Sequence, residues 1–116
     1  MKFSVALVAV VALVSSASAS YAIKSTANIR YGPGTSYEKI GSVAGGTQVT
    51  IACQQWGETT TVGSDTSALW DLINEGSGAG EVTVGYVWDG YVKTGSSGMV
   101  ASDCCAIGAT AVGCPD

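Results

Sequence analysis

Asn28-Ile29-Arg30-Tyr31-Gly32-Pro33-Gly34-Thr35-Ser36-Tyr37 is the stretch from which the rest of the 116-residue chain is read. It predicts a short strand running into a tight turn. Asn28 and Arg30 fall on one side of the strand and Ile29 on the other. Gly32-Pro33-Gly34-Thr35 predicts a type II turn, because proline pre-sets φ at the first central position and glycine accepts positive φ at the second. Tyr31 and Tyr37 flank that turn. Arg30, the only arginine in the chain, has two readings: it fixes the turn through carbonyls or an acid, or it grips a ligand carboxylate. The turn is not a phosphate loop, since it lacks the lysine and the following helix that such a site needs.

Outward from this stretch the chain reads as strands and turns. Tyr21–Lys24 predicts a leading strand and Lys39–Val43 a second of modest strength, followed by a turn over Ala44–Thr47. Thr47–Gln54 carries the clearest alternation: Val49, Ile51 and Cys53 on one face, Gln48, Thr50, Ala52 and Gln54 on the other. Gln55–Ser67 is polar and threonine-rich and predicts an exposed hairpin or loop, extended over Thr59–Val62. Ala68–Ile73 predicts a strand covered on both faces, by Leu69 and by Trp70. Asn74–Gly80 predicts a loop, and Val82, Val84, Tyr86 and Trp88 mark one face of a further strand. Asp89-Gly90 signals a tight turn before a short strand over Tyr91–Lys93. Six or seven short strands with frequent turn signals and no helix predict an all-β fold, a small closed or partly open barrel that limits exposed edges.

The ends divide the chain. Residues 1–19 combine an early lysine, an apolar run from Val5 to Val14 and the small-residue sequence Ala17-Ser18-Ala19, the pattern of a secretory signal peptide. The apolar run is too short for a membrane span of about 20 residues. Residues 20–104 form the expected barrel and 105–116 a Gly/Ala-rich tail. Residues 20–116 hold four bases (Lys24, Arg30, Lys39, Lys93) and nine acids, a net charge of −5. Such a balance gives no electrostatic footprint for nucleic acid or an anionic membrane. Cys53, Cys104, Cys105 and Cys114 in an exported chain imply two disulfides. Joining the adjacent Cys104 and Cys105 to each other would strain the backbone. Cys53 therefore pairs with one of them and Cys114 with the other. Cys53–Cys104 with Cys105–Cys114 is the preferred pairing, its long loop contributing roughly 4 kcal/mol in the chain-entropy model. The chain has no histidine, and the cysteine spacing does not suit zinc.

The stretch Ala27–Tyr37 resembles the opening motif of bacterial-type SH3-like (SH3b) domains. Ile40–Thr47, Leu69-Trp70-Asp71, Gly85–Asp89 and Tyr91–Ser96 are similar to later segments of exported fungal and actinobacterial members. The resemblance runs from about Tyr21 to Cys104. It implies a small SH3-like β-barrel, supports pairing of Cys53 with Cys104, and implies binding to peptidoglycan or related glycans. The chain departs from the pattern at Ile29 and Gly85, where some fungal relatives carry cysteines, in the longer segment over Glu75–Thr83, and in its added tail.

The chemistry expected is binding. Without histidine or a free cysteine, Ser-His-Asp and Cys-His arrangements cannot be built. Asp71 and Asp89, beside Trp70 and Trp88, are the one carboxylate pair that suggests glycosidic chemistry. The alternative reading of each is a turn cap or a partner for a base. Aromatic rings suit stacking on sugars or peptides. Tyr31, Tyr37, Trp88 and Tyr91 are expected to be the more exposed rings, and Trp70 and Tyr86 at least half-buried. Together with Arg30 and Asp89, those four exposed rings make up the candidate ligand set. No catalytic residue, metal or cofactor is expected. The expected partner is a cell-wall polysaccharide or peptide outside the cell. Second is a protein partner met through a strand edge or the Trp56–Ser67 loop, and third a small wall hydrolase.

Overall fold

The computed structural model describes residues 19–76, 82–107 and 111–114; residues 1–18 of the expected leader and part of the segment over 75–83 lie outside them. Six strands form one antiparallel sheet: β1 (Ser20–Ala22), β2 (Ala27–Arg30), β3 (Lys39–Val43), β4 (Gln48–Val62), β5 (Asp65–Gly76) and β6 (Val82–Trp88). Their order across the sheet is β1-β4-β5-β6-β2-β3. The sheet curls into a half-barrel, so the expected small disulfide-bonded β-barrel is present in open form. A 3-10 turn (Asp89–Tyr91) and a one-turn helix, α1 (Cys104–Ile107), follow the last strand.

The long β4–β5 hairpin dominates the sheet. The stretch expected as a loop over Gln55–Ser67 is instead its outer end, closed by Gly63-Ser64 between the Val62–Asp65 pair. Gly63 takes φ +63° there, a conformation that glycine adopts without strain. The β-branched Thr59–Val62 run suits pairing, which is why polarity alone misled the reading. Residues over Tyr91–Lys93, expected as a strand, form the end of the 3-10 turn and a single bridge from Val92 to Ile23.

Two apolar clusters form the core. Ile23, Ala27, Ile29, Val43, Val49, Ile51, Ile73, Val87 and Val92 form the first, and Cys53, Trp70, Tyr86, Trp88 and Cys104 the second. Each large side chain buried this way contributes about 1.5–3 kcal/mol before entropy is counted. Leu69 and Trp70 are both fully buried, so β5 is covered on both faces as expected. The face expected to carry Val84, Tyr86 and Trp88 is unevenly covered. Tyr86 and Trp88 are buried, whereas Val84, in phase with them, is 51% exposed, because the second cluster begins only at Tyr86.

The Gly32–Tyr37 turn differs from a type II turn. Gly34 N–H donates to Gly32 O across Pro33 at 2.9 Å, and Tyr37 N–H to Gly34 O at 3.3 Å. This is a three-residue turn about Pro33 followed by a four-residue turn, and Gly34 is not among the glycines with positive φ. The Tyr37 ring packs under Gly32, where a Cβ would lie 2.5 Å from Cδ1.

Both disulfides follow the preferred pairing, Cys53–Cys104 and Cys105–Cys114. The tail is not held by its disulfide alone: Ala111 packs on the second apolar cluster and Val112 O accepts a hydrogen bond from Gln55.

Candidate functional site

Two recesses among the described residues take in candidate residues. The smaller, about 230 Å³, is a groove lined by Thr26, Asn28, Arg30, Thr35, Thr60, Val62, Trp70, Trp88 and Tyr91. Strand β2 supplies Asn28 and Arg30 at adjacent same-side positions, and the outer end of β4 supplies Thr60 and Val62. The floor is aromatic. Trp70 Nε1 donates to Glu58 O at 2.9 Å and Trp88 Nε1 to Ser67 O at 3.0 Å, so both indoles are pinned beneath the hairpin. Tyr91 meets Trp88 edge to face, with centroids 5.2 Å apart. Thr60 contributes a buried hydroxyl with no hydrogen-bond partner.

Arg30 is half-buried and Nη1 donates to Tyr37 O at 3.0 Å, so it fixes the neighbouring turn while also lining the groove. Glu58 closes the same turn from the other side. Its carboxylate accepts from the Thr35 backbone N–H, and Thr35 Oγ1 lies 2.8 Å from Oε1. The Thr35 hydrogen bonds hold the Glu58 carboxyl below its ordinary range, with a smaller pull in the same direction from the Arg30 charge.

The larger cavity, about 620 Å³, is lined by Lys24, Lys93, Asp89, Thr66, Ser67 and Thr94 among others. Behind Asp89 sits a buried polar cluster. Gln54 Nε2 donates to Asp71 Oδ1 at 2.7 Å and reaches Asp89 Oδ1 at 3.3 Å. Gln54 Oε1 accepts from the Val100 and Ala101 backbone N–H groups at 2.6 and 3.0 Å. Burial, followed by hydrogen bonding with Asp89 and its negative charge, pushes the Asp71 carboxyl up to about 9. Burial also raises Asp89, against the opposing effects of Asp71, the Lys24 charge and Gln54. Burial and mutual repulsion therefore favour one proton on the pair, held by Asp71, whose buried Oδ2 has no hydrogen-bond partner. Asp71 is fully buried and lines neither recess. It neither caps a turn nor meets a base, contrary to the bland sequence reading, and as a pair for bond cleavage Asp71 and Asp89 lack a common face toward substrate.

The six candidates from sequence thus divide. Arg30, Trp88 and Tyr91 share the groove. Tyr31 is 60% exposed but stands outside it, Tyr37 supports the turn, and Asp89 belongs to the buried cluster and the larger cavity. Trp88 was expected to be exposed and is 3% exposed. Its ring folds back over Gly90, where a Cβ would lie 2.2 Å from Cζ3. Trp70 and Tyr86 are buried as expected, at 2% and 4%. Sequence reading missed Asn28, Thr26 and Thr60 as groove residues, since short polar side chains at a hairpin end carry no signal distinguishing them from a solvated face. It also missed both buried amides, Gln54 and Gln55.

No family model matches the chain. Its sequence is 43% identical over 77 residues to the uncharacterized protein YraJ of Bacillus subtilis (strain 168) and 38% identical over 77 residues to the uncharacterized protein YraI of the same organism. Each match takes in 66% of this chain, and the chain spans 65% of the length of each of these curated relatives. Among the described residues no helix is long and apolar enough to cross a membrane.

Proposed function

We propose that this chain is an exported, non-catalytic, SH3b-like module that binds a cell-wall glycan or its peptide in the groove between β2 and the outer β4–β5 hairpin. The observation that carries this reading is the make-up of the groove: a guanidinium, an amide and three threonines surround the Tyr91 edge of an indole floor. The partly exposed Tyr91 ring gives the apolar surface, with the buried Trp70 and Trp88 backing the groove, and the polar rim offers donors and acceptors to hydroxyls or main-chain amides. Two disulfides suit an oxidising compartment, which supports export. A non-catalytic role is supported by the burial of Asp71 behind Asp89.

The test is co-sedimentation with insoluble peptidoglycan and, separately, with chitin at low salt. The parent enters one of the pellets; Asn28→Ala and Tyr91→Ala lower the pelleted fraction, and Lys39→Ala, outside the groove, leaves it unchanged. Absence of the parent from both pellets overturns the proposal.

A second reading draws on the exposed rings and branched chains of the hairpin. Trp56 is 54% and Val62 42% exposed, which suits a protein partner. Retention of a defined protein by the parent and not by Trp56→Ala would favour it.

A further inference from the structure

Gln55 is 1% exposed and uses both ends of its amide. Oε1 accepts from Tyr86 Oη–H at 2.7 Å, and Nε2 donates to Val112 O at 2.5 Å. The first bond stays inside the sheet, whereas the second reaches a main-chain carbonyl of the C-terminal loop. The next residue, Gly113, takes φ +84°, and a Cβ there would lie 3.1 Å from Gln55 Nε2 and 3.2 Å from Pro33 Cγ. A peptide carbonyl is therefore gripped by a buried, oriented donor, and the following residue favours glycine through its positive φ, with the tight approach to Pro33 and Gln55 adding to that preference. Tyr86 holds the amide in the orientation that presents its N–H groups outward.

The loop is attached as a ligand would be. Among the described residues, its one backbone–backbone hydrogen bond is its own, Cys114 N–H to Ala111 O at 3.4 Å; none joins Ala111–Cys114 to a strand. It is held by the Gln55 side chain, by Ala111 packing on the second apolar cluster, and by Cys105–Cys114. The Cys105–Cys114 bond closes this short loop, nine residues apart in sequence, and confines Ala111–Cys114 beside Gln55, so even a weak subsite stays filled.

We propose that Gln55, Tyr86 and Pro33 form a peptide-binding subsite, occupied in this structure by the chain's own Ala111–Cys114, and that releasing this loop opens the subsite to a peptide presenting a carbonyl followed by glycine. This site is separate from the groove and does not depend on the groove's ligand.

The experiment uses the full chain in three forms: the parent, Cys105→Ser/Cys114→Ser, and Gly113→Ala, which displaces the loop with both disulfides intact. Each is titrated with acetyl-Ala-Val-Gly-Ser-amide while the Gln55 side-chain amide is followed by NMR; circular dichroism verifies the fold. Saturable shifts at Gln55, at least about tenfold tighter in the released forms than in the parent, are expected. Acetyl-Ala-Val-Ala-Ser-amide binds at least about tenfold more weakly than the glycine probe, because its methyl group meets Pro33 and Gln55. Equal binding by parent and released forms, no saturable shift at Gln55 in either folded variant, or indifference to the glycine each overturns the proposal. A variant that does not fold leaves the other to decide, and if neither folds the loop is a structural element and the proposal fails.

Discussion

Gln54 and Gln55 are neighbours in sequence and equally buried, yet their amides serve opposite parts of the molecule. Gln54 turns inward to two acids and to the Val100–Ala101 backbone, and every partner it has is a fixed part of the barrel. Gln55 shares one bond with Tyr86 and gives the other to a loop whose described residues make no backbone hydrogen bond to a strand. The first arrangement ties a sheet to a segment joined by a long-range disulfide. The second leaves a donor whose partner is exchangeable. Burial alone does not tell a structural amide from a recognising one; what the partner is attached to does.

Removing Gln54 should break the inner side most severely. Gln54→Ala strips Asp71 and Asp89 of their shared donor and leaves the Val100 and Ala101 N–H groups without an acceptor. Losing several buried bonds of this kind, two of them to acids, costs about 3–5 kcal/mol. Chemical denaturation should show the midpoint falling with little change in slope, and the same measurement on Gln54→Glu, which adds a third carboxyl to the cluster, should show a larger loss at pH 8 than at pH 5.

The second effect is pH dependence. Asp71 has a folded value near 9 against an ordinary carboxyl value of 3.8. A carboxyl raised on folding leaves the fold most stable below the unfolded value and loses that advantage as pH rises toward the folded one. Melting temperature should therefore fall between pH 4 and pH 9. Asp71→Asn keeps a donor for Asp89 and an acceptor for Gln54 without a titrating proton, so its melting temperature should change far less over the same window. A parent profile flat from pH 5 to pH 8 would show that the pair holds no proton.

The outer side is cheaper to break. Gln55→Ala loses the Tyr86 and Val112 bonds, about 1–3 kcal/mol for buried neutral partners, and its stability should vary with pH as the parent's does, since it touches neither acid. Hydrogen exchange should quicken at Cys114 and leave the Val100–Ala101 amides protected.

The sequence made the barrel legible because its signals were local: alternation at Val49, Ile51 and Cys53, the paired faces of Leu69 and Trp70, and cysteines whose spacing left few pairings. The Gln54–Gln55 pair was hidden because strict alternation sends one of two neighbours outward. Here both are buried because β4 is covered on each side at this point, Gln54 by the Val100–Asp103 segment and Gln55 by Val112–Gly113. Trp88 was misjudged for a related reason: its burial depends on the ring lying over Gly90, and ring direction is not written in residue order. Three of the six candidates, Arg30, Trp88 and Tyr91, do line the groove, because arginine and aromatic residues announce themselves. Asn28 and Thr60 enter only through the curl that brings β2 to the outer hairpin.

The smallest effect tests where the outer side is anchored. Glu58 N–H donates to Pro33 O at 3.0 Å, and the Glu58 carboxylate holds Thr35, so this residue clamps the turn on which Gly113 rests. The carboxyl is fully exposed, so solvent screens its bonds and their worth is small. Its sign is nonetheless opposite to that of Asp71. A carboxyl lowered on folding contributes above its unfolded value of 4.5 and loses that contribution as pH falls through the folded value. Glu58→Gln should remove a shallow loss of stability below about pH 4 and leave the fall between pH 4 and pH 9 untouched. Added salt should shrink the difference from the parent, as it does for an exposed charge. If Glu58→Gln instead altered the alkaline fall, the turn and the acid cluster would be coupled through the sheet, and the division between the two glutamines would not hold.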